Sequence, residues 1–143
     1  MISNRTMPSC SVLPELVYED VDEAIGWLCA AFGFSERWRA PGHRAQLAVG
    51  DCAIVVREPR GERAEGATQA RDTHSTLVRI EDLQAHHDRA SRNGARILKG
   101  PAEYPYGERQ YTAADLAGHE WTFSESVADR LPEEWDGVTA ELD

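Results

Sequence analysis

The stretch YPYGERQYTAADLAGHEWTF, residues 104 to 123, concentrates side chains that could do chemistry. Tyr111 could stack on a flat ligand, and Glu120 could recognise a ligand or act as an acid or a base. His119 is a residue type that can hold a metal ion. The Asp-Leu-Ala-Gly turn in the middle is also typical of a hairpin whose polar residues face water. The stretch therefore fits a catalytic loop, a metal site or a structural hairpin.

Elsewhere in the chain, Glu15 and Arg79 could join Glu120 in ligand recognition or acid–base work, and Trp38 could stack on a flat ligand as Tyr111 could. The structural alternatives are a buried network of paired charges and aromatic residues that pack within the sheets. The sequence has no Ser/His/Asp or Cys/His nucleophile motif and no glycine-rich loop for phosphate.

Four of the five histidines are expected at the surface. His86 and His87 occupy consecutive positions of a predicted helix, so they cannot face one site together and are expected on a solvated face. His43 follows a Pro-Gly turn, and His119 lies in the turn of the last hairpin. Both are predicted to be exposed.

Composition narrows the class of protein. The chain has 143 residues, one domain's length, with a net charge of −10 and three cysteines. An acidic surface repels phosphate, so we expect neither a nucleic acid nor a membrane as partner; it favours a cationic small molecule, or serves solubility alone. We expect no signal peptide and no membrane-spanning helix. The cysteines are odd in number and lack CxxC spacing, which predicts free thiols in the cytoplasm at Cys10, Cys29 and Cys52.

Hydrophobic periodicity predicts two copies of a strand–helix–strand–strand–strand unit. The first helix opens near Asp20 or Asp22 and stops at Gly33, and the second ends at Asn93 and Gly94. The copies also agree in letters, since VYEDV (17–21) matches RIEDL (79–83). The segments expected are 11–18, 21–33, 35–40, 43–50 and 51–58, then 74–81, 82–95, 96–100, 109–115 and 119–125.

The domain organisation follows from this repeat. We expect one domain over residues 9–126, made of modules 11–58 and 74–126 joined by a mobile linker, 59–73. An acidic C-terminal tail, 127–143, is expected to be loosely held. Each module alone leaves one sheet face unburied, so the modules are expected to pair around a shared cleft. The predicted fold class is α+β, with two βαβββ modules forming a curved mixed sheet around that cleft.

These features resemble a known superfamily. Duplicated βαβββ modules, a Glu-Asp pair opening each helix and a closing Asp-x-x-Gly-x-x-Trp-Thr-Phe hairpin resemble the vicinal oxygen chelate superfamily, in particular its glyoxalase/bleomycin resistance protein-like group. The resemblance covers residues 11–126 and implies a homodimer. The superfamily contains glyoxalases, extradiol dioxygenases, fosfomycin-modifying enzymes and bleomycin-binding proteins, so the resemblance implies a fold more firmly than an activity.

Metal-dependent members use four His, Gln or Glu ligands, one from the first and one from the last strand of each module. By the register of the helix-opening Asp residues, the resemblance puts these positions at Leu13, Ser75, Thr122 and one residue within 53–56. None of these is a good ligand, so no metal and no other cofactor is expected. His74 lies one residue off and would need a bulge to reach the same face, which leaves an off-register metal site as an alternative.

Alternation along the strands predicts the face that lines the cleft. On the last strand Trp121 and Phe123 are expected against the helices, with Thr122 pointing inward. For residues 109–113 the sequence does not decide between Arg109 with Tyr111 and Gln110 with Thr112. The candidate ligand-binding residues are Glu15, Trp38, Arg79, Arg109, Tyr111, Glu120 and Thr122.

The function expected from these patterns is small-molecule binding without a metal, with a cationic or aromatic ligand held in the clefts of a dimer. One alternative is a metal-dependent lyase, isomerase or dioxygenase. Another is a metal-free enzyme that uses Glu15 or Glu120 as a base.

Overall fold

The chain folds into two βαβββ modules, as predicted, and the α+β fold class is confirmed. The computed structural model describes residues 1–60 and 73–142, so residues 61–72 of the predicted linker lie outside the described residues. The first module comprises β1 (Glu15–Val17), α1 (Val21–Phe32), β2 (Ser35–Ala40), β3 (Arg44–Val49) and β4 (Cys52–Arg57). The second comprises β5 (Thr76–Arg79), α2 (Leu83–Arg92), β6 (Arg96–Glu103), β7 (Glu108–Ala114) and β8 (Glu120–Ser126), followed by a 3₁₀ helix, Pro132–Trp135.

Each module forms its own four-stranded mixed sheet, and the two sheets have the same strand order. The orders are β1-β4-β3-β2 and β5-β8-β7-β6. In each sheet the first strand runs parallel to the last strand, and the other pairs are antiparallel. β1 is shorter than predicted and begins after Pro14, which has no N–H to donate to a ladder. β6 is longer than predicted and contains two register shifts.

Local capping explains where the helices begin and end. The carboxylate of Asp20 accepts a hydrogen bond from the Glu23 amide at 3.0 Å, and Asp82 does the same for the Ala85 amide at 3.2 Å. Gly33 ends α1 with a φ of 75°, a left-handed conformation that glycine adopts without strain. Among the described residues, no helix is long and apolar enough to span a bilayer.

The two modules pack through their helices around one hydrophobic core. α1 contacts α2, and the ring of Phe32 on α1 lies 5.5 Å from Trp121 and 4.8 Å from Phe123 on β8, centroid to centroid. The apolar side of each sheet is its helix side, and both helix sides belong to this core. The modules of one chain therefore meet helix to helix, and do not close their sheets on each other. We call the sheet sides that point away from the helices the first open face (β1–β4) and the second open face (β5–β8).

The predicted acidic tail is attached to the β6–β7 hairpin. The amides of Val127 and Ala128 donate to the Gly107 carbonyl at 2.8 and 3.1 Å. The indole of Trp135 packs edge-on against Tyr106, with ring centroids 5.7 Å apart. The start of the tail is thus held by backbone hydrogen bonds and one aromatic contact rather than loosely.

Candidate functional site

The turn between β7 and β8 is a buried hydrogen-bonded junction. Oδ2 of Asp115 accepts from the Tyr18 hydroxyl at 2.6 Å and from the Trp121 indole at 3.0 Å. Its Oδ1 accepts from the amides of Ala117 and His119 at 2.9 and 3.0 Å. Burial, and then the neighbouring Asp115 carboxylate, raise the pKa of the Tyr18 hydroxyl far above its ordinary value. Of the three interpretations of this stretch, the structural hairpin is the one that these contacts fit.

His119 joins the two modules and is not the exposed turn residue that the sequence predicted. Its Nε2–H donates to the Val17 carbonyl at 2.8 Å, and its ring lies edge-on to Tyr18 at 4.9 Å. Val17 belongs to β1, at the opposite end of the chain from the turn. The ring is thereby committed to a contact between modules, which removes it from the candidate metal ligands.

His86 is half-buried between the modules, contrary to the expectation of a solvated helix face. Its ring lies 4.1 Å from that of Phe123, Nε2–H donates to the Phe32 carbonyl at 3.1 Å, and Nδ1 accepts from the Tyr111 hydroxyl at 2.5 Å. Burial lowers the pKa of His86, an effect that the Phe32 carbonyl opposes and the charge of Arg89 assists. The imidazole therefore links α2 to α1 and β7, and its lowered pKa favours the neutral form.

The second open face carries polar side chains joined by hydrogen bonds across β7 and β8. The hydroxyls of Thr112 and Thr122 lie 2.9 Å apart across β7 and β8. The Gln110 amide donates to the Ser124 hydroxyl at 3.0 Å, and that hydroxyl donates to Glu108 at 2.7 Å. Ser124 is buried, but Gln110, Thr112 and Thr122 are half-buried and can meet a molecule lying on this face.

The choice that the sequence left open on β7 is thereby decided: Gln110 and Thr112 lie on the open face. Tyr111 is fully buried on the opposite side, its ring stacked on Phe123 at 5.2 Å, and burial raises its pKa. Arg109 also faces α2 and donates to the Gln84 side chain at 3.1 Å. Because side chains alternate along a strand, Arg109 and Tyr111 cannot line the face that carries Thr122. Arg109 and Tyr111 are therefore no longer candidate ligand-binding residues.

Glu15, Arg79 and Glu120 do not form the predicted ion network. Arg79 is exposed on β5 and donates to the Ser126 hydroxyl at 3.1 Å. Glu120 is exposed at the start of β8. Glu15 lies in the other module, where its carboxylate pairs with other arginines.

On the first open face, three arginines surround the carboxylate of Glu15. Its Oε1 lies 3.1 Å from Arg44, 3.6 Å from Nε of Arg57 and 3.9 Å from Arg60. Nε of Arg57 is buried and makes no hydrogen bond. The net charge of −10 predicts a cationic ligand, but three arginines meet at one carboxylate on the described part of this face. Net charge alone does not say where on the surface the charges lie.

The N-terminal segment lies across the β2 edge of the first open face. The Arg37 guanidinium donates to the carbonyl of Arg5 at 3.0 Å and to the side chain of Gln46, which is buried. The Trp38 indole donates to the Thr6 carbonyl at 3.2 Å. Trp38 is half-buried on this face, as predicted, but its polar atom is engaged by the protein.

Arg44, Arg57 and Gln46 were missed by the sequence reasoning, although a signal was present. In β3 the helix-facing residues include Ala45 and Leu47, so the alternating positions had to face the other way. The same alternation in β4 puts Arg57 beside Arg44, its Cα partner in the ladder. Attention to charged residues at open-face positions would have found them.

The donor set does not fit the metal that the resemblance implies for some relatives. Register shows that Val55 is the first-module counterpart of Thr122, since each is paired with the parallel first strand. No imidazole or carboxylate is supplied at the four expected ligand positions, which are Leu13, Val55, Ser75 and Thr122. In the described chain no group of three or more His, Cys, Asp or Glu side chains could hold a metal. His74 is exposed, and its Nδ1 lies 3.0 Å from the Thr73 hydroxyl.

The cysteines offer no activated nucleophile among the described residues. All three are free. A hydrogen bond with the Cys10 thiol, followed by desolvation, raises the pKa of the Cys52 thiol to about 11. Burial also raises the pKa of Cys29. A raised thiol pKa means less thiolate at neutral pH, which is the reactive form.

Comparison with known proteins agrees with the architecture. The model of the Glyoxalase/Bleomycin resistance protein/Dioxygenase superfamily matches residues 10–123. An uncharacterised protein of Mycobacterium bovis is 27% identical over 124 residues, which cover 80% of this chain and 82% of that protein.

Two solved structures share the fold. TioX from Micromonospora sp. ML1 is 29% identical with a TM-score of 0.67, over 85% of this chain and 100% of TioX. The genomically encoded fosfomycin resistance protein FosX from Listeria monocytogenes has a TM-score of 0.63 at 16% identity, over 83% of this chain and 94% of FosX. At 16% identity the second likeness concerns the fold alone.

Proposed function

Because this chain belongs to the glyoxalase/bleomycin resistance protein/dioxygenase superfamily, we propose that it is a small-molecule-binding protein whose ligand lies against the open sheet faces. The observation that carries the proposal is the second open face, where the half-buried side chains of Gln110, Thr112 and Thr122 form an ordered polar surface that neither helix covers. A pre-formed surface with few, fixed polar groups is typical of ligand sites.

Binding is proposed to be independent of a metal. The reason is the donor set: the positions that would hold the ion carry leucine, valine, serine and threonine side chains. Hydroxyl and alkyl groups of this kind do not make the imidazole or carboxylate site that a borderline cation requires. The three free thiols are in keeping with a reducing, cytoplasmic setting.

We further propose that the protein acts as a homodimer. One chain leaves both open faces uncovered by the other module, so a second copy would be needed to turn a flat face into an enclosed cleft. An enclosed cleft buries most of a small ligand, which an open sheet does not. Light scattering at micromolar concentration that gives the mass of a single chain would overturn the dimer.

Nuclear magnetic resonance of the uniformly ¹⁵N-labelled protein tests the binding proposal. We expect members of a library of small aromatic and aliphatic compounds to shift the amide signals of Thr112, Thr122 and Ser124. Thr122→Phe, which adds a ring to the open face, should abolish these shifts, whereas the matched Thr139→Phe variant in the exposed C-terminal segment should retain them. Hits that shift only helix-surface signals, or binding that survives Thr122→Phe, would contradict the proposal.

A further inference from the structure

We infer that the first open face is an oxyanion site, where Arg44 and Arg57 bind a carboxylate or phosphate group of the ligand. The inference deepens the proposed function and rests on it, because it gives the chemical class of the molecule that lies on the open faces. It replaces the cationic ligand that the net charge predicted.

Charge imbalance at Glu15 is the first ground. The guanidiniums of Arg44, Arg57 and Arg60 lie 3.1, 3.6 and 3.9 Å from the same carboxylate oxygen. Among the described residues, three guanidiniums therefore share this one carboxylate, in a chain whose net charge is −10. A second oxyanion at this place would therefore be attracted by charges that Glu15 does not neutralise.

Strand register is the second ground. Arg44 and Arg57 are direct Cα partners across β3 and β4, an arrangement in which like charges repel. Nε of Arg57 is buried and makes no hydrogen bond, because the Glu15 oxygen that it faces lies 3.6 Å away, and an unsatisfied buried donor destabilises a fold. Glu15 offsets only part of the repulsion between the two arginines, and an oxyanion bound between their side chains would offset more of it.

Geometry of the arginine side chain gives the class of ligand. The planar guanidinium presents parallel N–H groups that match the paired oxygens of a carboxylate or a phosphate. Glu15 already shows that a carboxylate oxygen fits within reach of all three arginines. The half-buried ring of Trp38 lies on the same face, where its ladder partner Gln46 is two residues from Arg44, and it could pack against the body of the ligand.

Isothermal titration calorimetry with three probes tests the inference: inorganic phosphate, benzoate and, as the cationic counterpart of benzoate, benzylamine. We expect phosphate or benzoate to bind and benzylamine to bind more weakly than either. Tighter binding of phosphate would indicate a phosphate ester as ligand, and tighter binding of benzoate an aromatic carboxylate. Arg44→Gln or Arg57→Gln should weaken binding of the anion by about tenfold, the effect of one lost charge-assisted hydrogen bond. Arg96→Gln, at an exposed arginine of β6, is the matched control and should bind like the unmodified protein.

A variant with the opposite expected sign separates a ligand site from a structural ion cluster. Glu15→Gln removes the carboxylate that competes for the arginines, so affinity for the anion should rise. If the cluster serves stability alone, Glu15→Gln should leave anion affinity unchanged or lower it, and that result would overturn the inference.

The unmodified protein supplies a readout that does not depend on how the variants fold. Phosphate should shift the side-chain Nε–Hε resonance of Arg57 during a titration, and an unmoved resonance up to saturating phosphate would refute the site. If neutral aromatic compounds shift the Thr122 amide while phosphate and benzoate bind nowhere, the oxyanion site is wrong and the proposed function stands. If no compound affects either open face, the proposed function itself fails.

Discussion

Replacement of Asp115 by Asn should destabilise the protein substantially while leaving side-chain size unchanged. Both carboxylate oxygens are used as acceptors, Oδ2 by Tyr18 and Trp121 and Oδ1 by two turn amides. An Asn side chain offers one acceptor and one donor. If its NH₂ replaces Oδ2, the indole N–H of the fully buried Trp121 faces another donor; if it replaces Oδ1, both turn amides do.

The magnitude follows from the number of donors left without a partner. At least one buried N–H loses its acceptor, which costs about 1–3 kcal/mol, and the remaining bonds lose the extra strength of a charged acceptor. We expect the free energy of unfolding to fall by about 2–4 kcal/mol. Urea unfolding followed by tryptophan fluorescence measures it, with the midpoint shifted and the slope unchanged if the folded state keeps its compactness.

Two comparisons make this prediction refutable. Asp51→Asn removes a carboxylate from the exposed β3–β4 turn and should leave the urea midpoint where it is. Tyr18→Phe combined with Asp115→Asn should show a coupling of about 0.5–3 kcal/mol, as expected for residues in one hydrogen-bond network. A loss below about 1 kcal/mol for Asp115→Asn, or strictly additive effects of the two changes, would refute the reasoning.

Three further predictions concern pH and the C-terminal segment. Burial lowers the pKa of His86 in the folded state, so below about pH 6.5 the unfolded state binds more protons and the free energy of unfolding falls. In His86→Gln the urea midpoint should therefore depend less on pH between about pH 7.5 and 5.5. A variant whose midpoint changes with pH as steeply as that of the unmodified protein would contradict this. The raised pKa of Tyr18 affects stability at high pH: the free energy of unfolding is retained up to about pH 10 and falls above it. Thermal melts at about pH 9 and 11 should show a smaller fall for Tyr18→Phe than for the unmodified protein. Gly107→Ala should lower the melting temperature, because φ is 87° and a Cβ would overlap the Ala128 carbonyl. At Gly100 a Cβ would meet nothing within 4 Å, so Gly100→Ala should change the melting temperature little. Equal effects of the two substitutions would contradict the prediction.

The fold was predictable because its signals are local. Helix-opening Asp20 and Asp82 cap their helices through amides three residues away, and Gly33 supplies the left-handed residue that ends α1. Each of these features is contained in a few consecutive letters, and duplication repeats them. Alternation was equally reliable on β8, where Trp121 and Phe123 face the helices.

The histidines were mispredicted because their environments depend on distant segments. His119 sits in a tight turn, a local pattern that indicates exposure, but its partner Val17 is 102 residues away in sequence. His86 is a polar residue on a polar helix, yet α1 delivers the ring of Phe32 and its carbonyl against it. The packing of one module on the other is the information that periodicity within each module does not contain.

The two open faces have diverged in charge although they share one topology. Register makes Arg57 the counterpart of Ser124 and Arg44 the counterpart of Gln110, so the first face carries two arginines at positions where the second carries uncharged side chains. Pairing two first open faces in a dimer would bring the arginines of both copies together, which repulsion disfavours. Pairing the first open face of one copy with the second open face of the other avoids this, and it gives each cleft one wall that binds an oxyanion and one that hydrogen-bonds the rest of the ligand. Such a dimer has two equivalent clefts, so we expect one phosphate or benzoate bound per chain. A calorimetric stoichiometry of one anion per dimer would exclude this arrangement.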